Sequence, residues 1–370
     1  MIFYFRGSSN MLKKNDSPFF SIVMPIYNVE NFLPRSLGCL EAQTFDNWEL
    51  LAVDDCSTDG SLRVLEKYKI SDKRIRVIRH EKNLGVSEAR NTGLSMAKGS
   101  YVWFADPDDK YEPDLLKRVQ EVLVLSAMVP VVMFGHYEEW YKANGSFSHQ
   151  VPVCEPCSIE LSSKDIHNAA LHFEETTAYG YPWNKVYSLD YLKKHDLYFK
   201  NVSYIEDIDF NIRVFQELDR LVIVKDALYH YAKRPSISLT GKYDKDFFNL
   251  HVSRVRLLYN QLLSWDDVED LDNKFSILGK LLCRYVVAAL RMNCYPDANM
   301  TYRKRLSWCR GLYENDFIKH MISVADEPRD CIVKTCIYAL KHRHTRFLLL
   351  IGRAAYEVEA HMYPLLSKLK

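Results

Sequence analysis

Short apolar runs alternate with amphipathic segments through the first third of the chain, and this alternation limits the fold more than any other feature. Strand-length runs separated by helix-length segments indicate βαβ units, whose parallel strands need helical crossovers. The sequence therefore predicts an α/β fold with a mostly parallel central sheet. The predicted strands are Phe20–Ile26, Trp48–Val53, Ile75–Ile78, Tyr101–Ala105 and Pro130–Gly135, with helices near 30–42, 60–69, 86–97 and 113–126.

Polar residues follow the predicted strands at the point where each strand ends. Because parallel strands share one direction, their carboxyl ends meet at one edge of the sheet, where open α/β sheets bind ligands. We therefore expect a binding site at this edge. The strand-end residues are Tyr27, Asn28, Asp54, Asp55, His80, Asp106, Asp108 and Asp109.

Three carboxylates stand within four residues after the fourth predicted strand, at Asp106, Asp108 and Asp109. Clustered carboxylates repel one another, and a bound cation offsets that repulsion. Oxygen ligands select Mg²⁺ or Mn²⁺, which usually share substrate phosphates. The segment therefore fits a metal–diphosphate site. It equally fits a polar turn with solvated acids, since Asp-Pro is a common turn pair.

Composition bounds the remaining function classes. With 370 residues the chain exceeds the usual size of one domain, and its net charge of +1 gives no indication of nucleic acid binding. Nine cysteines without framework spacing suit a reducing compartment. The start lacks a secretory signal, and the longest apolar stretch, Val122–Gly135, is too short to span a membrane. We expect a cytoplasmic protein, with Met1 or Met11 as its true start.

The second half of the chain is less regular and then becomes helical. Asn144-Gly145 resembles a hairpin turn, and Leu221–Val224 reads as a strand. From about residue 243 onward, apolar residues recur with helical spacing. These residues are Val252, Val255, Leu258 and Leu262, followed by Ile277, Leu281, Tyr285 and Ala289.

Six motifs, taken in order, resemble family 2 glycosyltransferases. Each is weak alone, but the order and spacing are specific, and the resemblance covers roughly residues 19–240. It implies the GT-A fold, a nucleotide-activated sugar as donor and inversion at the anomeric carbon. The motifs are Pro25–Asn28, Val53–Gly60, Asn83–Leu94, Phe104–Asp109, Trp183–Lys185 and Glu206-Asp207, followed by a region with Tyr231, Arg234 and Ser236.

The resemblance implies a set of donor-binding residues. Pro25, Tyr27 and Asp55 would hold the nucleotide base and ribose, most often of uridine. Asn83 and Arg90 would lie near the base or the diphosphate, where an arginine offers a forked donor to an anion.

The resemblance also assigns the metal and the catalytic base. Asp106 and Asp108 match the metal-binding DxD motif and imply a Mn²⁺ or Mg²⁺ cofactor, with Asp106 contacting the ribose or the metal. Asp109 would orient the sugar or support the metal. Asp207 matches the family's catalytic base.

The acceptor side carries the remaining implied roles. Trp183, Asn184 and Lys185 would border the sugar and acceptor pocket, and Glu206 stands beside the base. A fifth residue, His230, fits either a diphosphate or metal contact or a histidine packed on its strand.

The sequence departs from the family pattern at two turn positions, and it lacks one motif that is typical of processive enzymes. Cys56 replaces a frequent glycine, so the turn lacks glycine's freedom at positive φ. Pro107 replaces a small polar residue and fixes φ between two ligands. The Gln-x-x-Arg-Trp motif of processive polymerases is missing, which indicates single additions.

The resemblance therefore implies an inverting hexosyl- or hexosaminyltransferase of bacterial cell-surface polysaccharide synthesis. It would move one sugar from a nucleotide-diphospho-sugar, such as a UDP-sugar, to a hydroxyl of a glycan or lipid-linked acceptor. A sugar nucleotidyltransferase would need a glycine-rich loop after the first strand, where this chain has Tyr27–Glu30. A non-catalytic nucleotide-sugar binding protein is the third class, and intact Asp106, Asp108 and Asp207 argue against it.

The implied organisation is an N-terminal extension (1–18), a GT-A catalytic domain (19–240) and a helical C-terminal region (241–370). Within the catalytic domain, 19–135 would bind the nucleotide and 136–240 the acceptor. Basic and apolar residues mix near the C-terminus, between 334 and 353. This region fits peripheral contact with the inner face of a membrane, a homodimer, or helices packed on the catalytic domain.

Overall fold

The computed structural model describes residues 17–142, 144–202, 205–234, 243–328 and 330–359. They form two compact units. Unit 1 runs to Met133 and also contains Pro182–Tyr198, whereas unit 2 contains Phe134–Tyr181 and the chain from Phe199 onward. These units are defined by which residues pack together, so they differ from the functional domains 19–240 and 241–370, which stay a prediction.

Unit 1 is a mostly parallel sheet with helical crossovers. β1 pairs in parallel with β2 and β4, and β2 pairs in parallel with β3. β9 returns to unit 1 and lies antiparallel between β4 and the start of β6. Its elements are β1 (Phe20–Ile26), α1 (Leu33–Glu41), β2 (Trp48–Asp54), α2 (Ser61–Ser71), β3 (Ile75–Arg79), α3 (Val86–Met96), β4 (Tyr101–Phe104), β5 (Lys110–Tyr111), α4 (Leu115–Leu125), the start of β6 (Val131–Tyr141), β9 (Lys185–Ser188) and α6 (Leu189–Lys194).

The strands of unit 1 confirm the sequence-based prediction closely. Every residue of β1, β2 and β4 is buried, as expected for parallel strands that are covered on both faces. The predicted and observed ends of the first four strands differ by at most one residue. The fifth strand, β6, runs six residues beyond the predicted end at Gly135, because its second half pairs with β7.

Unit 2 combines an antiparallel sheet with a helical region. β6 and β7 form the hairpin that Asn144-Gly145 predicted, with Gly145 at a φ of 81°. β10 pairs antiparallel with β8 and extends the predicted strand at 221–224. The elements before the helical region are the rest of β6, β7 (Phe147–Val153), β8 (Ile159–Ser162), α5 (Ser163–Glu175), α7 (Glu206–Gln216) and β10 (Arg220–Lys233).

The C-terminal part of unit 2 is helical, as predicted. α9 lies at its centre and packs against α8, α11, α12 and α13. α9 and α11 approach so closely that a methyl group on Gly279 would lie 2.4 Å from the carbonyl oxygen of Met321. The helices are α8 (Phe247–Ser264), α9 (Leu271–Met292), α10 (Tyr302–Gly311), α11 (Asp316–Val324), α12 (Cys331–Lys341) and α13 (Thr345–Glu357), with a short 3-10 turn at Pro296–Ala298.

The apolar face of α9 differs by one residue from the predicted one. The buried residues are Leu278, Leu282 and Val286, whereas Ile277 and Leu281 are only half-buried. On α8 the predicted apolar residues are buried as expected. Among the residues that the structure describes, no helix is both long and apolar enough to cross a bilayer.

His251 on α8 predicts an acid-sensitive contribution to stability. Burial, reinforced by the positive charge of Arg254, lowers the pKa of His251 from 6.5 to about 4. Between these pH values the unfolded chain binds a proton that the folded chain does not, so the free energy of unfolding falls as pH falls. The expected loss is about 2–3 kcal/mol between pH 6.5 and 4, measured by urea unfolding.

His251→Phe removes this titration and keeps an aromatic ring on Tyr285, on which the imidazole stacks at 3.9 Å. The variant should therefore lose less stability over this pH range than the parent. His149→Gln, on an exposed part of β7, is the control and should keep the parent's pH dependence. Identical pH dependence in His251→Phe and the parent would contradict the assignment.

Candidate functional site

The loops after β1 and β2 are joined by side-chain hydrogen bonds at the carboxyl edge of the unit 1 sheet. Asn28 Oδ1 accepts from the Thr58 backbone N–H at 2.8 Å, and the Asn28 N–H donates to Ser57 Oγ at 3.1 Å. Asn28 has a φ of 53°, a conformation that asparagine tolerates better than most residues. Helix α2 begins after Gly60 without a side-chain cap, so Ser57 and Thr58 hold the β1 loop instead.

Asp55 joins the β2 loop to the segment after β3. Its Oδ1 and Oδ2 accept from the N–H groups of Leu84 and Gly85, both at 2.8 Å, and Oδ1 lies 2.7 Å from His80 Nδ1. The other ring nitrogen of His80 lies 3.0 Å from Thr92 Oγ1. Asp55 therefore orders the segment that carries Asn83. A carboxylate has about four lone-pair positions, so these three contacts leave about one of them unused.

Gly85 allows this arrangement because its φ of 92° is one that L-residues with a side chain rarely adopt. A methyl group at Gly85 would meet no atom within 4 Å, so the cost of Gly85→Ala is a backbone cost. We expect a loss of about 1–3 kcal/mol in the free energy of unfolding, measured with denaturant, because this φ and a ψ of 164° lie in a region open essentially to glycine alone.

Gly38→Ala is the matched control, since a methyl group there also meets no atom within 4 Å and Gly38 lies inside helix α1. It should gain roughly 0.5–1 kcal/mol of stability. Equal effects of the two substitutions would show that φ at Gly85 does not limit the loop.

The acidic loop after β4 is held at both of its ends. Arg90 on α3 lies 4% exposed, and its Nη2 is 3.3 Å from Asp106 Oδ1. The Tyr111 hydroxyl donates to the Asp106 carbonyl at 2.6 Å, and Arg35 Nη2 donates to the Asp108 carbonyl at 2.7 Å. Burial raises the pKa of Tyr111 well above its usual value, which keeps the hydroxyl a donor. Asp109 is buried beside them.

Asp106 and Asp108 fit only part of a metal site. The Asp106 side chain is 25% exposed, and Asp108 is half-buried. Within the described ranges, no group of three or more Asp, Glu, His or Cys side chains could hold a metal ion. Mg²⁺ is usually held by one or two carboxylates together with substrate phosphates. The two carboxylates fit that arrangement and do not form a protein cage.

Other predicted donor residues surround this edge. The Tyr27 ring is 47% exposed directly after β1, where a flat ligand has access to it. Pro25 is buried in β1 opposite Val53, and Asn83 is exposed before α3. Cys56 adopts a φ of 62° in the position where the family often has glycine, at a cost of about 1–2 kcal/mol.

Trp183, Asn184 and Lys185 also lie in unit 1 and are buried. Trp103 Nε1 donates to the Trp183 carbonyl at 2.8 Å, and Lys185 Nζ donates to Asn184 Oδ1 at 2.8 Å. The first of these bonds connects the segment before β9 to β4, and the second joins Asn184 of that segment to Lys185, the first residue of β9. The assignment of the three residues to a sugar pocket stays a prediction.

The predicted base lies in unit 2, in the first turn of α7. Asn211 Nδ2 donates to the carbonyl oxygens of Asp207 and Gly180, at 3.0 and 2.9 Å, and so fixes the start of the helix. Asp207 lines a cavity of about 730 Å³ in unit 2. Its neighbour Glu206 is the first residue of the helix and is half-buried.

His230 lies on β10, also in unit 2. Its Nδ1 is 3.0 Å from Glu139 Oε1, and its ring stacks on Tyr137 with the centroids 4.9 Å apart. These contacts describe a packed strand histidine. Ser236, from the last motif, lies outside the described residues.

The sequence marks His80 only as a strand-end residue without a role, and it does not identify Arg35 or Tyr111 as parts of the site. Arg35 lies 73 residues from Asp108 along the chain, and His80 lies 25 residues from Asp55. The only signal in the sequence was the position of His80 at a strand end.

The part of the chain that carries the loops of unit 1 is similar to known glycosyltransferases. The model of glycosyl transferase family 2 matches residues 21–152. The glycosyltransferase EpsJ of Bacillus subtilis is 32% identical over 224 residues, which cover 60% of this chain and 63% of EpsJ. Poly(ribitol-phosphate) β-N-acetylglucosaminyltransferase TarS of Staphylococcus aureus is 28% identical over 332 residues, covering 87% of this chain and 52% of TarS.

The fold has a solved counterpart. The crystal structure of TarS residues 1–349 in complex with UDP-GlcNAc superimposes with a TM-score of 0.62 and 22% identity, covering 91% of each chain. The chain therefore has the fold of TarS, the GT-A fold that the motifs implied. Residues 21–152, which carry the loops after β1 to β4, match the model of glycosyl transferase family 2.

Proposed function

We propose that this chain is an inverting glycosyltransferase that moves one sugar from a nucleotide-diphospho-sugar to a hydroxyl of a glycan or lipid-linked acceptor. The observation that carries the proposal is the carboxyl edge of unit 1. There Asp55 orders the β3 loop, Arg90 contacts Asp106, and Tyr27 is exposed. These residues all lie in the segment that matches the family.

A UDP-sugar is the proposed donor. TarS, which shares the fold, was solved with UDP-GlcNAc. In this chain Tyr27 would stack on the base, and Asp55 would use its remaining lone pair for the ribose or base. Arg90 and Asn83 would lie near the diphosphate, where the guanidinium offsets negative charge.

Mn²⁺ or Mg²⁺ is the proposed cofactor, held by Asp106 and Asp108. When bound, the ion would neutralise charge that grows on the departing diphosphate. The protein's own part is to keep both carboxylates in one loop through Arg35 and Tyr111. Asp109 and the Trp183–Lys185 segment would border the transferred sugar.

Asp207 is the proposed general base. It would take the proton of the acceptor hydroxyl while that oxygen attacks the anomeric carbon from the face opposite the nucleotide, which inverts the configuration. A carboxylate in the first turn of a helix interacts favourably with the helix dipole, and Asp207 has this position in α7.

The donor can be identified by the shift in melting temperature that nucleotide-sugars cause with and without Mn²⁺, because ligands that bind the folded state stabilise it. A UDP-sugar should give a larger shift with Mn²⁺ than without, and should then be consumed slowly in the presence of water alone. Binding without any turnover would favour a binding protein. Consumption of a nucleoside triphosphate and a sugar phosphate would favour a nucleotidyltransferase.

A further inference from the structure

Helix α9 forms one wall of the cavity beside Asp207. The other lining residues come from α8, which contributes Arg254, from α5 and the loop after it, from the start of α7 and from the segment just before α12. At about 730 Å³ it has room for a sugar or a polyol phosphate. The residues used below are Glu174, Glu175, Asp207, Arg254, Lys280, Arg284 and Asp330.

Helix α9 presents a mixed apolar and basic face to this cavity. Ile277, Leu281 and Tyr285 line it at intervals of one helical turn, and Lys280 and Arg284 line it beside them. Residues at i and i+4 lie on one face of a helix. This explains why Ile277 and Leu281 follow helical periodicity and yet are only half-buried.

The two cations of α9 are available to a ligand. Among the residues that the structure describes, neither Lys280 nor Arg284 has an ion pair, and Lys280 is half-buried while Arg284 is exposed. Arginine and lysine are the side chains that bind phosphate, arginine as a fork and lysine as a point charge.

Most carboxylates of the cavity already have partners or a role. Glu174 forms an ion pair with Arg254. Asp330 Oδ1 accepts from the N–H groups of Ile332 and Val333, at 2.8 and 3.0 Å, as the N-cap of α12. Glu175 is exposed at the end of α5. The cavity therefore offers two cations on one side and Asp207 on another.

We propose that this cavity is the acceptor site and that Lys280 and Arg284 bind a phosphate group of the acceptor. The assignment of the cavity as the acceptor site rests on the proposed function, whereas phosphate binding in the cavity can be measured independently of it. The phosphate belongs either to a polyol or glycan phosphate, or to a lipid headgroup. In both cases the helical C-terminal region forms part of the substrate site.

The test uses the full chain, with and without saturating UDP, and two small probes, glycerol 1-phosphate and uncharged glycerol. Calorimetric titration should detect glycerol 1-phosphate and not glycerol. The double variant Lys280→Gln/Arg284→Gln should weaken phosphate binding at least tenfold. Loss of even one hydrogen bond to a charged group weakens binding by about tenfold or more. Failure to bind UDP would count against the proposed function alone.

Arg303→Gln/Lys304→Gln on α10 removes two exposed charges outside the cavity and should bind glycerol 1-phosphate as the parent does. Flotation with phosphatidylglycerol vesicles is the second arm. Vesicle binding that depends on Lys280 and Arg284, without binding of glycerol 1-phosphate, identifies a lipid phosphate.

Unchanged affinity in the double variant, equal loss in the control, or no binding of either phosphate probe would overturn the proposal. Thermal unfolding checks that the variants fold. Because Arg284 is exposed, Arg284→Gln alone provides a second variant, and it should show an intermediate loss.

Discussion

Asp207→Asn is expected to lower the rate of sugar transfer by about 10²–10⁴-fold, the usual contribution of a general base. The amide matches the carboxylate in size but cannot take the proton of the acceptor hydroxyl. The start of α7 should persist, because Asn211 donates to the backbone carbonyl of residue 207, which the substitution keeps. Chromatographic measurement of transfer and calorimetric measurement of UDP binding separate the two effects.

UDP affinity should stay unchanged in Asp207→Asn, because the proposed UDP-binding residues are Tyr27, Asp55, Asn83 and Arg90 and do not include Asp207. Asp219→Asn is the matched control, since Asp219 is exposed just beyond the end of the same helix. It should transfer sugar at the parent rate. Full activity in Asp207→Asn, or a product that retains the anomeric configuration, would contradict the assignment.

Asp108→Asn is expected to remove most of the metal-dependent part of nucleotide binding. Metal stabilisation of diphosphate charge is worth several kcal/mol, so UDP affinity in Mn²⁺ should fall by about 10²-fold or more. Affinity without metal should change little. The loop should remain in place because Arg35 holds the backbone carbonyl of residue 108, which the substitution keeps.

The measurement is the ratio of UDP dissociation constants with and without Mn²⁺, which cancels general effects on folding. Asp114→Asn is the control, because Asp114 is exposed and its side chain makes no cap hydrogen bond at the start of α4. If the ratio in Asp108→Asn equals that of the parent, Asp108 does not hold the metal.

The sheet of unit 1 could be predicted where burial alone determines the pattern. β1, β2 and β4 are covered on both faces, and their sequences are continuous apolar runs. β9 was not predicted, because four residues that begin with Lys185 do not form an apolar run. Its place between β4 and β6 depends on pairing with strands that are distant in the sequence.

Helix α9 shows a second limit of prediction from the sequence, which concerns the role of each apolar residue. Ile277 and Leu281 line a cavity, while Leu282 and Val286 lie in the core. The four residues have nearly the same hydrophobicity and all follow helical spacing, so the sequence cannot separate a core face from a cavity wall. Only the packing of α9 against its neighbours separates them.

The sequence could predict those residues of the candidate site that directly follow the strands of the sheet. Asp55 and Asp106 follow buried strands, and parallel strands bring such residues to one edge. The residues that hold them lie on α1 (Arg35), directly after β3 (His80) and in β5 (Tyr111), and their proximity depends on tertiary structure. Apart from the strand-end position of His80, no local pattern distinguishes them from ordinary surface residues.

The late return of β9 to unit 1 determines which fragments of this chain can fold alone. A fragment ending at residue 152, the limit of the family match, lacks the strand that separates β4 from β6. Both strands would then present unpaired backbone groups, which promote aggregation. During synthesis, likewise, the ribosome must pass Tyr198 before the unit 1 sheet is complete, so chaperone demand should be highest over that interval.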